Sequence, residues 1–172
     1  EGYIEGVLDA TTTELADELV GGALSAGKNR LEAAGERGIP QVVAPGALDM
    51  VNFWAPETIP DRFRGRQFYQ HNPQVTLMRT TKAENRRLGK LIAQKLNKAK
   101  GPTAFFWPKR GISLIDIEGK SFHDPNADIE FINSLKGNLG DKVKLVEMDV
   151  DINDKRFAKE MASQLIKYLE NK

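Results

Sequence analysis

The chain has 172 residues, enough for one domain with a sizeable core. Its 25 Lys+Arg balance 24 Asp+Glu at a net charge of +1, so no global field draws it to nucleic acid or to a membrane surface. It has no cysteine, which excludes disulfides and thiolate chemistry and suits a cytoplasmic protein; no stretch approaches the roughly 20 apolar residues of a membrane span, and no signal peptide is visible.

In chain order, strand and helix patterns alternate. Tyr3–Leu8 reads as a first strand, and Thr11-x-x-Glu14 as a capping box that opens a helix ending near Gly21-Gly22. A second helix is expected over Asn29–Arg37, stopped by Gly38, and a strand over Ile39–Ala44, broken by Pro45-Gly46. Leu48–Phe53 reads as a short helix, Ala55–Arg66 as a long surface loop, and Gln67–Gln70 as a short strand. Phe53, Trp54 and Phe63 in and beside that loop are expected to be exposed, as a protein-interaction module would use them. The polar stretch His71–Thr81 reads as a loop, and Thr81-x-x-Glu84 as a second capping box that opens the longest helix, with Leu88, Leu91, Ile92 and Leu96 on one face. Thr103–Trp107 and Val143–Met148 are apolar strands. Asp124-Pro125 starts a helix to about Leu135, and Asn153 caps a last helix whose buried stripe is Phe157, Met161, Leu165 and Leu169.

Strands alternating with helices predict an α/β fold: three layers, a mostly parallel sheet with helices on both faces, Rossmann-like. In such a sheet, ligands bind where the loops leave the C-terminal ends of the strands. Two loops there are dense in polar groups. The first holds Asp9, Thr11, Thr12 and Thr13 beside a helix N-terminus, whose free amides suit an anion; capping alone is the competing explanation. The second holds His71, Asn72 and Arg79, with Arg79 as a carboxylate or phosphate clamp. Gly46 would let backbone approach a ligand, and Asp49 and Asn52 would bind sugar hydroxyls. His71 and His123, the two histidines, could act as acid and base, with His71 the candidate catalytic group; an ordinary hydrogen-bonding role is the alternative. No metal-ligand spacing, Walker loop or dinucleotide fingerprint is present.

Four longer motifs carry a resemblance: Thr11-Thr-Thr-Glu-Leu-Ala-Asp17, Pro45-Gly-Ala-Leu-Asp-Met-Val-Asn-Phe53, Phe63-Arg-Gly-Arg-Gln-Phe-Tyr-Gln-His-Asn-Pro73 and Val75-Thr-Leu-Met-Arg-Thr-Thr81. Over essentially its whole length the chain resembles the uncharacterised family of the tomato mosaic virus resistance protein, the Tm-one-like ATP-binding-domain proteins. The resemblance implies the C-terminal half of a protein with two α/β halves, with ATP, if used, bound through the N-terminal half. The abrupt start at Glu1, without Met, agrees with a piece of a longer protein. The function expected is binding of an anionic or polyhydroxylated metabolite, or a nucleotide, in a crevice shared with an N-terminal domain. The alternative is a non-catalytic interaction or oligomerisation module, in which the chain forms a homo-oligomer.

Overall fold

The computed structural model describes residues 2–171. Four strands form a parallel sheet in the order β1 (Val7–Thr11), β2 (Gln41–Gly46), β6 (Thr103–Pro108) and β7 (Val143–Met148). Side chains alternate across it with the period of two that a strand imposes. Val43, Phe105, Trp107 and Val143 face one core; Val42, Ala44, Ala104 and Phe106 face another. The first core is covered by α1 (Thr13–Val20), α3 (Lys82–Asn97) and α4 (Pro125–Asn138), through Leu15, Leu88, Ile92, Phe131 and Leu135. The second is covered by α5 (Lys155–Glu170), through Phe157 and Met161. The three-layer α/β expectation therefore holds. The strand order follows the chain without reversal, which with one hand of crossover keeps the connecting helices on one face.

Local chemistry sets the helix starts. Thr81 and Glu84 form the reciprocal capping box of α3, and Asp124 accepts from the amides of Asn126 and Ala127 at the start of α4, with Pro125 at its first position. Gly89 lets α3 and α4 touch: a Cβ there would press into the Phe131 carbonyl and the Leu135 amide. Asp154, one residue beyond the expected Asn153, caps α5.

Several expectations are corrected. The first strand is shifted to Val7–Thr11, so Asp9 and Thr11 lie within it. The Thr11–Glu14 capping box does not form: Thr12 is the N-cap residue, without a side-chain cap, and Glu14 is drawn to Arg30 at 3.2 Å instead. Of the Asn29–Arg37 helix only a short turn, α2 (Ala33–Glu36), is helical. Residues 48–53 give a strand, β3 (Met50–Phe53), in place of a helix. The supposed loop His71–Thr81 is largely a hairpin: β4 (Phe68–Asn72) and β5 (Val75–Arg79) join β3 in a separate antiparallel sheet ordered β3-β5-β4. Phe53 and Phe63 are buried and pack ring to ring at 5.3 Å, leaving only Trp54 of that trio exposed.

Candidate active-site cavity

A cavity of roughly 570 Å³ opens at the C-terminal edge of the parallel sheet. All four parallel strands feed it. Thr11 ends β1, Gly46 and Ala47 end β2, the segment Ile112–Ile115 follows β6, and Ile152 and Asn153 follow β7. The antiparallel sheet closes the opposite wall, with Met50 of β3, Leu77 of β5, and Tyr69 and His71 of β4. A sheet whose strand order never reverses has no switch-point crevice of its own; here the second sheet supplies the missing wall.

The backbone at the β2 end is under constraint. Ala47 holds φ +58 without being glycine, and its amide donates to the Ile112 carbonyl at 2.9 Å. For an L residue this conformation costs about 1–2 kcal/mol. Such strain clusters where a loop is held for a purpose. At Gly46 a Cβ would press into the Ala10 carbonyl, just where the β1–β2 register slips.

Behind the cavity lies a buried ionic cluster. Ser113 donates to Asp49 Oδ2 at 2.8 Å, and Asp49 has no exposed surface. Arg79, 4 % exposed, binds Asp116 at 3.0 Å and Asp128 at 2.8 Å, and its Nε donates to the Phe122 carbonyl at 2.7 Å. Burial pushes the Asp49 carboxyl up to about 6, against the Arg79 charge and the Ser113 hydrogen bond. Burial likewise raises Asp116 and Asp128, while Arg79 pulls both down. Burial works against the Arg79 charge, but Asp128 and Asp116 more than restore it.

The residues singled out in the sequence are divided by the fold. Thr11, Gly46 and His71 line the cavity, and Asp49 stands one hydrogen bond behind it. Asp9 is held by Arg30 at 2.5 Å and 2.8 Å. Thr12 is buried and donates to the Ala44 carbonyl, and Thr13 accepts from the Asn52 amide at 3.1 Å. Asn52 also binds buried Asp17, whose carboxyl is raised by burial. Asn72 caps its own hairpin turn by accepting from the Gln74 amide. Arg79 points into the interior, spending its donors on protein acceptors. His123 lies at a second, smaller cavity with Asp128, so the two histidines share no cavity. Ser113, Asp116 and Asp128 belong to none of the motifs described above. The Gly111-Ile-Ser-Leu-Ile-Asp116 segment follows a strand, and the rule that drew attention to the other strand-end loops applies to it equally. Among the described residues, no cluster of three or more His, Asp or Glu is placed to hold a metal ion.

Comparison with known proteins sets this cavity in context. A family model described as the uncharacterised protein family UPF0261 C-terminal domain matches residues 1–169. The chain belongs to this family. A UPF0261 protein of Clostridium tetani is 58% identical over 98% of the chain, which spans 42% of that protein. One from Rhizobium meliloti is 48% identical over 91% of the chain and 40% of its own length. The ToMV resistance protein Tm-1(GCR237) of Solanum lycopersicum is 41% identical over 96% of the chain and 22% of its own length. The chain thus spans less than half the length of these relatives. A tomato protein named as ToMV susceptible matches at the same 41%. No helix among the described residues is long and apolar enough to cross a membrane.

Proposed function

We propose that this UPF0261 domain binds a small organic metabolite in the cavity between its two sheets. One observation carries the reading: loops from all four parallel strands and side chains of all three antiparallel strands converge on one space of roughly 570 Å³. That volume suits a small ligand, and mostly apolar walls with a few convergent polar groups are how such sites are built. Thr11, His71, Ser113 and Asn153 supply the polar groups. His71, exposed at the rim, is the candidate acid or base for any reaction there.

Of the ligand classes expected from sequence, a hydroxyl-bearing metabolite fits better than an anion or nucleotide. The cation meant for an anion, Arg79, is occupied by Asp116 and Asp128. At the first turn of α1, Thr12 is spent on Ala44 and Arg30 on Asp9 and Glu14. The Thr12 and Arg30 side chains at that turn are therefore committed within the protein and leave, among the described residues, no free cation there for the phosphates of ATP. The resistance named for the tomato relative does not carry over as a function, because the susceptible protein is equally similar.

A second reading, an interaction module, is favoured by one feature. Tyr3 and Ile4 are 87% and 61% exposed beside a larger cleft at the opposite end of the sheet, lined also by Val7 and Ile39. Docking against the remainder of a longer protein or a second copy would cover them.

The test is a thermal-shift screen of metabolites on the wild-type chain and on Ile115→Trp, which fills the cavity. Hits that stabilise the wild type and lose their effect in the variant support the reading. Hits that stabilise both equally place binding elsewhere.

A further inference from the structure

We propose that the Ser113 end of the cavity is a donor-recognition subsite whose preferred occupant is a primary ammonium on a small apolar body. This rests on the cavity being a ligand site. It concerns what the cavity selects.

The hydrogen-bond capacity of Ser113 decides the point. A hydroxyl has one proton to give and two lone pairs. The Ser113 proton goes to Asp49 Oδ2 at 2.8 Å, and the Ile115 amide donates to Ser113 Oγ at 3.2 Å. One lone pair is left, on a residue that lines the cavity and is 8% exposed. Ser113 can therefore accept from an occupant but not donate to it while Asp49 is ionised. A carboxylate or phosphate there would set its lone pairs against that of Ser113. A hydroxyl or ammonium would complete the serine.

Charge favours the ammonium. Asp49 Oδ1 is buried with no hydrogen-bond partner. Arg79 reaches Asp49 only at its backbone carbonyl, at 3.4 Å, and gives its strong contacts to Asp116 and Asp128. Three carboxyl groups thus share one guanidinium, and where all three are ionised, at about pH 8, the surplus is negative. The Asp49 charge lies directly behind Ser113, and a water-poor surrounding weakens it little. Among the described residues, no Lys, Arg, Asp or Glu side chain lines the cavity itself. Met50, Leu77, Ile115 and Ile152 provide the apolar wall for the rest of the occupant.

Three probes of equal length separate the possibilities: n-pentylammonium, n-pentanol and n-pentanoate, titrated into ¹⁵N-labelled protein. The expected order of affinity is ammonium, then alcohol, then carboxylate, with ammonium at least about tenfold ahead of carboxylate, as a hydrogen bond to a charged group implies. The shifted amides should be those of Ala47 and Ser113–Ile115. Asp49→Asn, which removes the charge behind Ser113 and keeps an acceptor oxygen there, should erase the preference, and Ser113→Thr, which keeps the hydroxyl, should retain it. Pentanoate binding as tightly as pentylammonium, or an unchanged preference in Asp49→Asn, overturns the subsite and leaves the cavity standing. Binding of none of the three at these amides overturns both.

Discussion

Arg79→Ala should be among the most damaging single substitutions in this domain. Arg79 is 4 % exposed and, among the described residues, is the one guanidinium paired within the cluster of Asp49, Asp116 and Asp128, whose side chains are 0–13 % exposed. Its removal leaves three carboxyl groups in the interior without their counter-charge and orphans the Phe122 carbonyl. Breaking a buried pair by deleting one partner costs about 3–5 kcal/mol, a large share of the roughly 5–15 kcal/mol that holds a domain together. For a chain of this size that lowers the melting temperature by roughly 10 °C or more. The loss should also depend on pH. Stranded carboxyls can escape their penalty by taking a proton, so the variant should lose less at about pH 5 than at about pH 8. Urea denaturation followed by far-UV circular dichroism at both values measures this. A loss under about 1 kcal/mol, or one that does not vary with pH, would refute the role given to Arg79.

Other outcomes follow from the same geometry. The Asp49 carboxyl is raised from 3.8 to about 6, so the folded protein holds that proton longer than the unfolded chain. Its contribution to stability is fully present below about pH 4 and is lost as pH rises through about 6; Asp49→Asn should remove that descending component, roughly 2–3 kcal/mol, from the pH–stability curve. Ala47→Gly relieves the positive φ and should stabilise the fold by up to about 1 kcal/mol in the same denaturation assay. Gly89→Ala forces α3 away from Phe131 and Leu135 and should cost about 2 kcal/mol or more, seen as a lower midpoint.

Much of the framework is legible in the sequence, and the failures have physical causes. Val42-Val43, Thr103–Trp107 and Val143–Met148 announce a parallel sheet, and Thr81–Glu84 and Asp124-Pro125 announce their helices, because apolar runs and caps are local signals. Met50–Phe53 is misread because it is buried on both faces: Met50 joins one core and Val51 and Phe53 another, so no polar alternation marks it as a strand. His71–Thr81 is misread because its polarity suggests a loop. Thr76 and Arg79 are polar but buried, and Arg79 finds its partners 37 and 49 residues away, which no local pattern reveals. Glu14 has the spacing of a capping residue, yet Arg30 captures it from a distant turn. Thr11, Gly46 and Asp49 stand at or behind the cavity because they end or follow parallel strands, whereas His71 reaches it from within β4 and not from the strand-end loop expected. The same rule covers the segment that holds Ser113, but the hydroxyl's role shows only once the buried Asp49 carboxyl is seen behind it.

The central claim is that the space between the two sheets is where this domain meets its ligand. Amide chemical-shift mapping of the ¹⁵N-labelled chain against a library of small neutral and cationic fragments tests it most directly. The shifts should gather on Thr11, Gly46, Ala47, His71 and Ile112–Ile115 across unrelated fragments. Shifts gathered instead on Tyr3, Ile4 and Val7, or on Leu96–Gly101 at the far end of the sheet, would contradict it.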